Sequence, residues 1–340
     1  MDHVENSELR ESTSTYPSSP SARNRWILDR RPARNAMDPW RPHAFLAETE
    51  PSPDGGEPVE VATIFLTNRE CPWRCLMCDL WRNTLEETVP DGAITAQVVY
   101  ALENLPEFAT PPTRSCLKLY NAGSFFDPRA IPVGEYPAIA GLAAPFGRVV
   151  VECHPSLVGP RCLEFRDLIS GRLEVAMGLE TVHPEVLDRL NKRMTLDLFR
   201  GAAEFLKGEQ IDLRVFILVR PPWLSEREGL EWAKRSLDFA FDCGARVCSL
   251  IPTRGGNGAM EALAASGEFA PPSLGSLESA LEYGLGLRAG LVFADLWDVE
   301  KFESCPRCSP ERVERLRAMN ATQSVPARIA CDCFDPRFEG

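Results

Sequence analysis

Histidine is scarce in this chain, 4 in 340 residues, and positive charge is in deficit: 37 Lys and Arg stand against 49 Asp and Glu, a formal net charge of -12. The deficit argues against broad, sequence-independent binding of nucleic acid, which rests on cations neutralising phosphates. A local patch is still available in Arg23, Arg25, Arg30, Arg31, Arg34 and Arg41, whose plainer reading is a solvated, loosely docked tail. No apolar run reaches the roughly 18 residues of a membrane helix. The first residues, with Asp2, Glu5, Glu8 and Glu11, lack the apolar stretch of a secretory signal. The expected setting is therefore the cytoplasm, without a membrane partner. Internal repeats and long low-complexity segments are missing too.

What remains is an ordinary soluble balance, 44% hydrophobic and 25% charged, with 12 cysteines. In a reducing compartment that count points to metal or redox-sensitive sites rather than disulfides. Residues 1–24 are polar and aperiodic and read as a disordered tail. Residues 25–58, with Trp26, Trp40, Phe45 and the turn-prone Pro53-Asp54-Gly55-Gly56, read as an irregular arm. From residue 59 to about 266, short apolar runs alternate with helical patterns. The expected strands are 59–66, 116–120, 148–152, 173–177, 213–219 and 246–251, and Ser225 with Glu228 predicts a capping box ahead of a helix over 226–241. This is an α/β pattern, a partial (β/α)6 TIM-like barrel. Residues 267–340 hold a further helix and a cysteine-rich end.

In parallel α/β sheets ligands bind at the carboxyl ends of the strands, and here those ends are polar and Gly-rich. After the first comes Cys71-Pro72-Trp73-Arg74-Cys75-Leu76-Met77-Cys78, after the second Asn121-Ala122-Gly123-Ser124-Phe125-Phe126-Asp127, and after the third His154. The fourth leads to Glu180 and His183, the fifth to Arg220, the sixth to Gly255-Gly256-Asn257-Gly258. Three thiolates on one tight loop suit three corners of a cubane cluster with one iron left open. A zinc site is the alternative, but it needs a fourth ligand from afar. Asn121 to Asp127 also fits a helix-capping turn, Glu180 and Arg220 an ion pair between strand ends, and each histidine a turn before proline.

The C-x3-C-x2-C loop after the first strand resembles the radical S-adenosylmethionine (SAM) superfamily. Together with Asn121-Ala122-Gly123-Ser124-Phe125, Gly178-Leu179-Glu180-Thr181 and Asn191-Lys192-Arg193-Met194-Thr195, it is similar to the group around the archaeosine-biosynthesis radical SAM proteins, whose core is of the elongator and methylthiotransferase type. The resemblance covers residues 59 to 258. It implies a [4Fe-4S] cluster on Cys71, Cys75 and Cys78, chelation of SAM by the open iron, and reductive cleavage to a 5'-deoxyadenosyl radical. It also implies a flavodoxin- or ferredoxin-like electron donor and a tRNA nucleoside as substrate. The turn Asn121-Ala122-Gly123-Ser124 stands where the superfamily has Gly-Gly-Glu near the SAM amino group. Asn121, Gly123 and Ser124 are then SAM contacts, and Glu152 or Glu180 is a candidate for the absent acid. Met77 takes the place of an aromatic residue near adenine, and Gly256 and Asn257 belong beside the adenosine.

Cys305-x2-Cys308 and Cys331-x-Cys333 form a second group, suited to zinc or to a fully ligated second iron-sulfur cluster. Cys116, Cys153, Cys162, Cys243 and Cys248 lie in or beside apolar segments and read as buried free thiols. Two other functions stay open: radical chemistry on a peptide or small metabolite, favoured by the acidic charge, and a non-catalytic zinc or iron-sulfur protein.

Overall fold

The alternation of apolar runs with amphipathic segments folds as one open sheet with helices on its outer face. The computed structural model describes residues 16–112 and 114–333. The strands are β1 (Ala44–Glu50), β2 (Val59–Leu66), β3 (Cys116–Asn121), β4 (Arg148–Glu152), β5 (Arg172–Glu180), β6 (Asp212–Val219), β7 (Val247–Pro252) and β8 (Leu291–Ala294), lying side by side in that order. All neighbours pair in parallel except β1, which runs antiparallel to β2. The helices are α1 (Pro20–Leu28), α2 (Ala93–Glu103), α3 (Tyr136–Ala143), α4 (Pro160–Arg166), α5 (Pro184–Arg189), α6 (Leu196–Gly208), α7 (Glu226–Asp242), α8 (Ala259–Ala265), α9 (Leu274–Leu287) and α10 (Ser309–Thr322).

The partial barrel expected from the sequence is present, widened by β1 and β8 to eight strands. The expected capping box opens α7, whose Leu230, Ala233, Leu237 and Ala240 are buried. That apolar stripe joins the main core, which also takes in alternate residues of the strands such as Leu117, Leu119, Val149, Val151, Val215 and Ile217.

The opposite, concave face is charged at its lower end. Lys118 bonds Glu48 (2.9 Å) and Glu50 (2.5 Å), Arg214 bonds Glu174 (2.6 Å) and Glu50 (3.3 Å), and Arg148 bonds Glu174 (2.9 Å) and Asp212 (2.5 Å). Glu50 on β1 and Arg214 on β6 can meet only because the sheet curls into a half-barrel. Asp54, in the turn between β1 and β2, closes the same end by pairing with Arg148 (2.9 Å) and Arg246 (2.8 Å). The charges satisfy one another, which is the condition for burying them.

Two expectations need correction. Of the tail assigned to residues 1–24, residues 1–15 lie outside the described residues, but Tyr16 is buried edge-on against Trp26, with ring centroids 5.1 Å apart, and α1 starts at Pro20. The arm assigned to residues 25–58 is not irregular throughout, because it includes part of α1 and all of β1. The cause in both cases is partnership over long sequence distance: Tyr16 donates to the Arg189 carbonyl (2.8 Å), and Arg23 pairs with Asp188 (2.9 Å). Among the described residues no helix is long and apolar enough to cross a membrane.

Candidate active site at the barrel mouth

The cysteine loop leaves the carboxyl end of β2 and is fastened from three directions. The Leu76 N–H donates to the Leu190 carbonyl (2.9 Å), Asn191 Nδ2 donates to the Arg74 carbonyl (2.7 Å), and Asn257 Nδ2 donates to the carbonyls of Leu76 (2.7 Å) and Cys78 (3.2 Å). Trp81 Nε1 adds a bond to the Cys78 carbonyl (3.0 Å), and Arg74 folds back onto the Cys71 carbonyl (2.7 Å). Just before the loop, Glu70 gathers Arg31 (2.7 Å), Arg34 and Arg74 (3.0 Å). The fully buried Leu76 side chain anchors the loop in a small apolar cluster with Trp26, Ile27, Leu190 and Met260. In this way α1 packs against the cysteine loop.

The turn after β3 comes close to the loop. Gly123 has φ +136°, and a Cβ there would lie 2.6 Å from the Cys71 Cβ, so only glycine fits. Beside it Asn121 is buried, and both atoms of its side-chain amide lack a partner. Buried polar groups are nearly always satisfied, and an orphan amide beside a cysteine loop is a ready contact for a polar ligand. Ser124, by contrast, is fully buried and bonds the Cys153 sulfur (3.3 Å). Asp127 takes the turn reading, accepting from the Arg129 N–H (3.0 Å).

The next strand ends bring further charged groups. Glu152 accepts from the Asn121 N–H (3.0 Å), and burial pushes its carboxyl up to about 7. Glu180 pairs with Lys192, while Arg220 pairs with Glu226, so the ion pair expected between Glu180 and Arg220 is not formed. Burial opposes the charged form of Lys192, but the Glu180 carboxylate together with the Cys75 and Cys78 sulfurs outweighs it and raises the ammonium. His154 stacks on Trp73 (centroids 3.9 Å apart), donates from Nε2 to the Lys192 carbonyl (3.0 Å) and accepts at Nδ1 from the Ser156 N–H (3.2 Å). Burial, then the Lys192 charge, lowers it to about 3, which keeps the ring neutral. His183 is the turn residue expected of it, accepting from the Val186 N–H (3.4 Å). Asn257 spends its amide on the loop carbonyls and on the Met260 N–H (2.9 Å), and the Gly256 carbonyl accepts from Arg82 (2.9 Å). They brace the loop.

Lys192 and the Trp73–His154 stack escaped the functional reading of the sequence. Lys192 stands inside the run Asn191-Lys192-Arg193, where Asn191 and Arg193 both adopt positive φ (58° and 61°). A tight left-handed turn beside a lone lysine was the available signal.

Glu152 makes the site sensitive to pH. Between its ordinary 4.5 and about 7, the folded state holds a proton that the unfolded chain has released. The group's stabilising contribution is therefore complete below 4.5 and lost as pH rises through about 7. Glu152→Gln should flatten that decline in urea unfolding between about pH 5 and pH 8. An unchanged pH profile would mean that Glu152 is not the titrating group.

The remaining cysteines separate into two kinds. Cys116, Cys153, Cys162 and Cys248 are buried free thiols and Cys243 is half-buried. Cys305, Cys308, Cys331 and Cys333 come together, with all four sulfurs within 4.8 Å of one another. Hydrogen bonds from the Cys308 and Arg307 N–H groups hold the Cys305 thiol down to about 6. Among the described residues this is the set so closely grouped. The thiols of Cys71, Cys75 and Cys78 are each raised, by burial first of all.

A parallel half-barrel with three cysteines on the loop after its first parallel strand is the architecture to which the radical SAM resemblance pointed. No family model matches the chain. In sequence it is similar to archaeosine synthase subunit beta of Methanosarcina acetivorans, 26% identical over 297 residues that cover 82% of this chain and 83% of that one. An archaeosine synthase subunit beta of Thermococcus kodakarensis is 29% identical over 169 residues, 48% of this chain and 51% of the relative. An uncharacterized protein of Methanocaldococcus jannaschii is 24% identical over 289 residues, 80% of this chain and 79% of the relative. Among solved structures, Streptococcus suis SuiB bound to SAM aligns with a TM-score of 0.49 and 14% identity over 74% of this chain. The radical SAM enzyme HemN of Escherichia coli aligns with 0.44 and 13% over 79%. The chain spans 52% and 56% of those two solved chains.

Proposed function

We propose that this chain is a radical SAM enzyme that acts on a nucleoside of tRNA. The observation that carries the reading is the turn at Gly123, packed against Cys71 of the three-cysteine loop and two residues from the unpartnered Asn121 amide. Cys71, Cys75 and Cys78 would hold a [4Fe-4S] cluster, which when bound supplies the electron for reductive cleavage of SAM. The chain's own residues do the rest. Asn121 and Glu152 offer a neutral amide and a carboxyl to the amino-acid end of SAM, Lys192 and Glu180 fix the charge beside the loop, and α1 braces the loop through Trp26 and Ile27.

The tRNA substrate is supported by the relatives named archaeosine synthase subunit beta. Those names also suggest a partner subunit. A net charge of -12 fits that division of labour, because a partner chain can supply the cations that grip tRNA. A flavodoxin- or ferredoxin-like protein is the proposed reductant. The same charge favours the second reading, a peptide or small metabolite as substrate.

Anaerobic reconstitution with iron, sulfide, a reductant and SAM should yield 5'-deoxyadenosine and methionine. Without that turnover the radical SAM reading fails. Mass spectrometry of tRNA nucleosides from a deletion strain should then show a modified nucleoside lost or its precursor accumulating. Unchanged tRNA would move the substrate to the second reading.

A further inference from the structure

The four carboxyl-terminal cysteines lie on two segments that bracket α10. Cys305 and Cys308 sit on the turn that enters the helix, and Cys331 and Cys333 on the segment that returns from it. That return segment is already pinned at its middle: the buried Arg315 donates to the carbonyls of Pro326 (2.8 Å) and Ala327 (3.0 Å) while pairing with Glu278 (3.1 Å) and Glu282 (2.6 Å). At its end the cysteine sulfurs meet those of the Cys305 turn.

The sulfur spacings discriminate between ligands. Cys305 and Cys331 stand 3.9 Å apart, Cys308 and Cys333 3.3 Å, and all four fall within 4.8 Å. A disulfide is far shorter, about 2.05 Å. Thiolates on one tetrahedral zinc, at about 2.3 Å each, stand about 3.8 Å from one another. A cubane places each thiolate on its own iron, outside a separate corner, and needs a wider frame.

We propose that Cys305, Cys308, Cys331 and Cys333 bind one zinc ion in a closed four-thiolate site that locks the return segment onto the start of α10. The four thiols release their protons to solvent on binding, and no electron is transferred. With four protein ligands no position is left for substrate, so the ion is structural. The site stands whether or not the cysteine loop carries a cluster.

The test uses the full chain with Cys71, Cys75 and Cys78 all changed to alanine, so that the loop cannot contribute metal. After washing with a mild chelator, this variant should retain about one zinc per chain, and absorption spectroscopy at the zinc edge should give four sulfurs at about 2.3 Å. Adding Cys308→Ser and Cys333→Ser should lower zinc at least about tenfold. Iron with sulfide in the four-thiolate site, iron alone, or a folded loop variant with less than about a tenth of a zinc per chain would each overturn the assignment. If the additional serine variants fail to fold, the wild-type zinc-edge spectrum decides between the same outcomes: four sulfurs support the site, and a shell of mixed nitrogen and sulfur is incompatible with it.

Discussion

Replacing Cys75 with alanine is expected to abolish reductive cleavage of SAM, a loss on the order of 10³-fold or more in 5'-deoxyadenosine formed. The protein should remain folded. Two thiolates cannot hold three corners of a cubane, so the variant removes the route rather than slowing one step of it. The loop's fastening does not depend on the thiol, because Leu190, Asn191 and Asn257 bond to main-chain groups of Arg74, Leu76 and Cys78. Cys248→Ala makes the matched control. That thiol is fully buried in the main core, so its removal should cost about 1 kcal/mol of stability and leave turnover intact. Equal turnover by Cys75→Ala and wild type would refute a catalytic loop.

Gly123→Val is expected to have the second largest effect, about 2–4 kcal/mol of destabilisation together with at least a tenfold fall in iron bound at the loop. The backbone there has φ +136°, which L side chains rarely adopt, and the first added carbon would meet Cys71 at 2.6 Å from its Cβ and 3.5 Å from its Cα. Neither neighbour is the free end of a flexible side chain, so the loop or the turn must shift. Gly55→Val separates strain from collision, since Gly55 also has positive φ (77°) but nothing within 4 Å of the added carbon. It should cost only the strain, about 1 kcal/mol, and leave iron binding alone. Thermal unfolding and iron analysis of the two variants measure both parts. Equal losses at the two positions would mean that contact with Cys71 is unimportant.

The parallel part of the sheet was legible because its strands are apolar runs set between helical patterns and bounded by turn residues. The Ser225–Glu228 box marked a helix start for the same local reason. β1 was not legible: Ala44-Phe45-Leu46-Ala47-Glu48-Thr49-Glu50 carries carboxylates that make sense only once Lys118 and Arg214 are known to face them. Sequence proximity misled at Glu180, since strand-end order suggested Arg220 while the turn at Asn191–Arg193 delivers Lys192. At the site, cysteine spacing marked the loop, while Gly123, expected as a SAM contact, packs its backbone against Cys71. Asn257 has a different employment from the one expected, as its amide is consumed by the loop carbonyls.

The ion-paired lower end of the half-barrel has a mechanical consequence. Glu50 of β1 holds Lys118 of β3 and Arg214 of β6, strands that no backbone ladder joins to β1. Side chains, and not only the ladder between neighbours, thus set how far the sheet curls.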